Sequence, residues 1–132
     1  MPVLLPEDYK YKLPKMYTVR QNFPDEHLEN PEKILKESLD REEIRSLVKP
    51  GMKTAVAVGS RGITGISQIV KITVDFLKEL GASPFIVSAM GSHGGGTKEG
   101  QREVLAGYGI TEEAMGVPVV TDTDTVDLGV NE

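Results

Sequence analysis

Apolar positions recur along this chain in two different periods, and the period changes at glycines and prolines. Residues 53–58 (Lys-Thr-Ala-Val-Ala-Val) form a short apolar run of strand length, compatible with a strand buried on both faces. Ile66, Ile69, Val70, Thr73, Val74 and Leu77 then recur at intervals of three and four, which predicts a helix. Gly81 stands just past its last apolar position, where a helix commonly ends. Residues 84–88 predict the next strand, and this β-α-β stretch is expected to close as a right-handed parallel crossover. Thr97 can cap a following helix that carries Val104 and Leu105 and stops at residues 107–109. Thr111-Glu112-Glu113 opens another brief helix, residues 117–120 read as a third strand, and residues 126–130 begin one more.

The first part of the chain is less regular. Residues 1–14 read as an irregular arm, since Pro2, Pro6 and Pro14 interrupt any ladder. Residues 15–21 alternate and are rich in β-formers, which predicts a short strand. Asn30-Pro31-Glu32 places a cap residue before a proline, and Ile34, Leu35 and Leu39 follow at helical spacing. A second short helix is expected from near Asp40, carrying Ile44, Leu47 and Val48 and ending before Pro50-Gly51. Together these elements predict an α/β domain of three layers, a mostly parallel sheet with crossover helices, Rossmann-like in plan.

A length of 132 residues suits a single domain spanning 1–132. The strand-like run at its end, with no closing helix, suggests a piece cut from a longer polypeptide, the alternative being a disordered or edge-strand terminus. The net charge of −5 argues against a nucleic-acid partner, because phosphate-backbone affinity comes from clustered Lys and Arg. With no cysteine there is no disulfide framework or thiolate metal site, and a reducing cytoplasm is compatible. No run is long enough to cross a membrane, and no secretory signal is visible.

The candidate chemistry sits after the two central strands. Met90-Gly91-Ser92-His93-Gly94-Gly95-Gly96 sets a histidine among four glycines between a strand and a helix. Open α/β folds bind ligands at such carboxyl ends. Glycines let backbone N–H groups approach a ligand, and His93 can move a proton near neutral pH. A histidine that merely hydrogen-bonds its own loop is the plain alternative. Gly59-Ser60-Arg61-Gly62 repeats the design with a cation; Arg61 offers a fork suited to carboxylate or phosphate, or is a solvated loop residue.

Ser60 and Ser92 can donate to a bound anion, but no base is placed in sequence to make either a nucleophile. Thr97 is best read as a cap, though a helix N-terminus there attracts anions. The loop matches neither the dinucleotide nor the lysine-serine phosphate motif. His27 is expected to be solvent-exposed. Asp122, Asp124 and Asp127 match no calcium loop and read as a solvated turn.

The motifs also carry a resemblance. Leu47-Val48-Lys49-Pro50-Gly51-Met52-Lys53, the first loop, and Gly81-Ala82-Ser83-Pro84-Phe85-Ile86-Val87 resemble the N-terminal domain of the lactate racemase family. Ala89-Met90-Gly91-Ser92-His93-Gly94-Gly95 and Tyr108-Gly109-Ile110-Thr111-Glu112 look closer still to a lactate racemase-like branch of uncertain function. Arg20-Gln21-Asn22-Phe23-Pro24 and Asn30-Pro31-Glu32 resemble the family's start, so the likeness covers nearly the whole chain. It implies one half of an enzyme that racemises a 2-hydroxy acid by reversible hydride transfer to a nickel-pincer nucleotide. His93 would be one of two histidines exchanging the hydroxyl proton, and Arg61, helped by Ser60 and Ser92, would meet the substrate carboxylate. Arg61, Gly91, Gly94 and Thr97 would lie along the cofactor. The cofactor lysine, the second catalytic histidine and the nickel-binding histidine are implied later in the chain, so no metal ligand is assigned here, and a C-terminal domain of the same protein is the implied partner. The other reading is a non-catalytic anion- or nucleotide-binding α/β module.

Overall fold

A computed structural model describes residues 10, 12, 14–24, 27–124 and 129. Its elements are α1 (Pro31–Leu39), α2 (Glu42–Arg45), β1 (Lys53–Val58), α3 (Ile66–Glu79), β2 (Ser83–Ser88), α4 (Lys98–Gly107), α5 (Glu112–Met115) and β3 (Val119–Val120). The strands form one parallel sheet in the order β1-β2-β3, with Val56 beside Ile86 and Ile86 beside Val119. Helices join consecutive parallel neighbours, as parallel pairing requires.

Local chemistry accounts for most of the boundaries. The Asn30 side chain accepts from the Lys33 N–H and Pro31 occupies the first helical turn, which opens α1. Thr97 and Thr111 cap α4 and α5 in the same way, accepting from the N–H groups of Gly100 and Ala114. Past α3, Gly81 adopts a left-handed φ of 82° and its N–H bonds the Lys78 carbonyl.

The core lies on one face of the sheet. Val58, Ile86 and Val119 point to that face and pack with Val70 and Val74 of α3 and Leu105 of α4, alongside Met90, Ile110 and Met115. A second cluster, Phe76, Leu77 and Ala82, receives Leu39, Ile44 and Val48, which ties the α1–α2 segment to the outer side of α3. Burial alternates along β1, with Ala55 and Ala57 exposed on the other face. The expectation of a strand buried on both faces is thereby corrected: α3 and α4 cover the same side. Among the described residues, then, the architecture is a small parallel sheet with helices on one face.

Other expectations change as well. Residues 15–21 form no strand; Met16 and Val19 are exposed, and no strand among the described residues pairs with them, although the alternation is present. The second helix is only Glu42–Arg45, and Leu47 and Val48 lie in the turn beyond it. The third strand shortens to Val119–Val120, because Pro118 can offer only its carbonyl, which accepts from Ile86 N–H. Most of the irregular arm at 1–14, and the strand expected at 126–130, lie outside the described residues apart from isolated positions.

The outer edge of β3 is closed by side chains. Val119 N–H donates to Glu112 Oε1 at 3.2 Å, and its carbonyl accepts from Arg102 at 2.9 Å. Arg102 and Glu112 are themselves ion-paired at 3.3 Å. These side chains occupy the backbone groups that another strand would need. Nearby, Lys98 pairs with the exposed Asp122 and Asp124, which lie in irregular chain rather than in a turn; Asp127 lies outside the described residues. No helix among the described residues is long and apolar enough to cross a membrane.

Candidate functional site at two strand ends

β1 and β2 run parallel and end side by side, and Ala89 N–H donates to the Val58 carbonyl at 2.8 Å just beyond the paired segment. The chain leaves β1 through Gly59-Ser60-Arg61 and leaves β2 through residues 89–96. The two glycine-set loops therefore emerge together at the carboxyl edge of the sheet. There the Ser60 hydroxyl is hydrogen-bonded to His93 Nδ1. His93 Nε2 has no hydrogen-bond partner among the described residues, and the ring is exposed. The fold thus brings together Ser60 and His93, a pairing that spacing along the chain does not reveal.

Four further hydrogen bonds hold this pair. Tyr108 OH donates to the Ser60 carbonyl at 2.6 Å and fixes the first loop from the end of α4. Buried Gln101 accepts from the Ser88 hydroxyl at 2.5 Å and donates to the Gly91 carbonyl at 2.8 Å, bracing the second loop on both sides. His93 N–H donates to the carbonyl of Met90, whose side chain is in the core. Tyr108 and Gln101 escaped the sequence reading. Their signal was available: Gln101, Val104, Leu105 and Tyr108 share one helical face, and a glutamine on an apolar stripe needs a buried partner.

The turn that follows His93 is built from left-handed glycines. Gly94 has φ 65° and Gly95 φ 69°, so no regular helix runs through it. Space above Gly91, Gly95 and Gly96 is open, with no atom within 4 Å of where a Cβ would stand. Thr97 caps α4 and also donates to the Gly94 carbonyl at 3.1 Å, which makes it a bracing residue of the turn.

The remaining candidates separate. Arg61 is exposed one residue from Ser60, with no hydrogen bond or ion pair among the described residues. Ser92 is exposed beside His93, and its side chain makes no capping bond. His27 is exposed as expected. The 620 Å³ cavity beside β3 and α4 and the 240 Å³ cavity between α1 and α3 are lined by other residues, while His93 is exposed and Ser60 half-buried. No group of three His, Cys, Asp or Glu that could hold a metal occurs among the described residues.

The class these observations define is an α/β domain with a parallel sheet and a hydrogen-bonded Ser–His pair at its carboxyl edge. Comparison with family models, with curated proteins and with solved structures returned no match.

Proposed function

We propose that this domain supplies the proton-transfer side of a site acting on a 2-hydroxy acid, as the N-terminal domain of a lactate racemase-like protein. The observation that carries the reading is the Ser60–His93 hydrogen bond, which joins the two loops that bear the motif resemblance. His93 would take the substrate hydroxyl proton at Nε2 and return it, a role that needs a ring held in place and a nitrogen left free. Arg61, exposed one residue from Ser60, would receive the carboxylate with its donor fork. Ser92 and the open backbone at Gly91, with Gly94 and Thr97 shaping the turn, would border the bound anion.

The nickel-pincer nucleotide is part of the same proposal. The open glycine turn leaves room for a phosphate-bearing group, but the described residues hold no donor set for a metal. The nickel ligand implied by the resemblance would come from later in the chain, and the described residues would contribute only the open glycine turn and Arg61. Ala55, Ala57 and Val120 are exposed and Phe85 and Val87 half-buried on the sheet face opposite α3 and α4. A further layer of helices on that face would complete a three-layer, Rossmann-like domain. A C-terminal domain would close the cleft over His93, and the cytoplasm is the expected setting.

His93→Ala in the full-length protein, assayed for racemisation of short 2-hydroxy acids, is expected to remove turnover while leaving the protein folded. Unchanged turnover would end the assignment. The open turn also suits a non-catalytic anion- or nucleotide-binding module. That alternative predicts phosphate or nucleotide binding weakened by Arg61→Ala, with no racemisation in any preparation.

A further inference from the structure

The geometry points to a single tautomer of His93, set by Ser60: Nδ1 carries the proton and donates it to the Ser60 hydroxyl oxygen, leaving the Nε2 lone pair outward. Ser60 is thus a positioning residue, acting on the reaction only through the histidine ring. This inference deepens the proposed proton transfer and rests on His93 being its carrier.

The argument begins with what is fixed. Ser60 stands at the end of β1, its carbonyl held by Tyr108 OH and the neighbouring Val58 carbonyl held by Ala89 N–H. His93 stands in a turn whose flanks are held by Met90, Gln101 and Thr97. The hydroxyl and the ring are therefore brought together by two anchored backbones rather than by a mobile side-chain encounter. Nδ1 faces Ser60, and Nε2 is the nitrogen left for a substrate.

A serine hydroxyl can donate or accept, so the contact alone admits both neutral tautomers. Function separates them. If the hydroxyl donated to Nδ1, Nε2 would carry the proton and have no lone pair for a substrate hydroxyl. Should Nδ1–H donate to Oγ, Nε2 is free to accept, and the same Nδ1–H···Oγ bond persists in the imidazolium that forms. The step is balanced as a pure proton transfer: the substrate O–H bond breaks, an Nε2–H bond forms, and the reverse restores both. An orienting partner on the distal nitrogen is the general means of fixing which ring nitrogen reacts.

The chain has two histidines, so ring-nitrogen correlation spectra of the 15N-labelled protein resolve His93, with His27 as the internal comparison. Spectra are recorded about two pH units above the ordinary histidine value of about 6.5. The expected wild-type result for His93 is a protonated Nδ1 and an unprotonated Nε2. Ser60→Ala should move His93 toward the Nε2–H form that free imidazole side chains favour, and Ser60→Thr should restore the wild-type pattern. A wild-type His93 already in the Nε2–H form would overturn the inference, as would an unchanged ring spectrum in a folded Ser60→Ala protein. The wild-type spectrum decides even where the alanine variant does not fold. Because it requires no turnover, it fails separately from the 2-hydroxy acid reading: the expected tautomer with unchanged His93→Ala turnover would remove that reading alone.

Discussion

Gly94 and Gly100 meet backbone to backbone, so that a Cβ on either residue would run into the main chain of the other. The contact seats the His93 turn on the first helical turn of α4. Gly94 also has φ 65°, so Gly94→Ala combines left-handed strain with overlap and is expected to cost about 3 kcal/mol. Gly95, one residue on, has the same backbone conformation but open space around it, and Gly95→Ala should cost only about 1 kcal/mol. Gly100→Ala tests the sign. Helix propensity alone would stabilise α4 by about 1 kcal/mol. The overlap should reverse that to a net loss of about 2 kcal/mol. Urea unfolding of the three variants measures the order; a stabilised Gly100→Ala would refute the contact.

Gln101 is expected to act as the brace of the second loop. Its side chain is 5% exposed and serves Ser88 and Gly91 together. Gln101→Leu keeps the volume but leaves the Ser88 hydroxyl and the Gly91 carbonyl without their partner, at a cost of about 2 kcal/mol. In a double-mutant cycle, Ser88→Ala should recover part of that loss, since it removes one orphaned group. Strict additivity in the cycle would show that the two side chains are not coupled.

The central crossover was legible because its signals are local. The three-and-four spacing from Ile66 to Leu77, and the caps Asn30, Thr97 and Thr111, place helices without reference to the rest of the chain. Which face of the sheet would be covered was not legible, since Lys-Thr-Ala-Val-Ala-Val fits one buried face or two and only helix placement decides. The alternation at 15–21 misled for a related reason: a strand needs an edge to pair with, and no spacing supplies one. At the site, His93 and Ser60 stood out through their glycines, but their hydrogen bond spans 33 positions. It follows from strand register. Tyr108 was hidden because an aromatic on an amphipathic face reads first as core.

The closed edge of β3 should be sensitive to acid. The hydrogen bond from Val119 N–H, followed by the Arg102 guanidinium, holds the Glu112 carboxyl below its ordinary value of 4.5. A carboxyl lowered on folding contributes stability above that ordinary value and loses it as pH falls through the folded one. Glu112→Gln keeps the shape but not the charge, so it should be less stable than wild type at neutral pH. The difference in urea midpoint should shrink as pH is lowered below 4.5. A constant difference across that window would mean that Glu112 acts by shape alone.

Adjacent sheet positions should report the one-sided core. Ile86 is fully buried between Val56 and Val119 against the helices, and truncating it to alanine opens a cavity that these anchored neighbours cannot fill. Ile86→Ala is expected to cost about 3 kcal/mol. Ala57 lies on the other face of β1 and is exposed, so Ala57→Ser removes little apolar burial and should change stability by about 0.5 kcal/mol or less. The two substitutions, read in the same urea titration, separate a sheet covered on one side from one covered on both. In the second case Ala57 would also sit in a packed layer, and a buried hydroxyl without a partner there would cost about 1–3 kcal/mol. A small effect at Ala57 beside a large one at Ile86 leaves the face of Ala55, Ala57 and Val87 free to receive a further layer in the proposed two-domain protein.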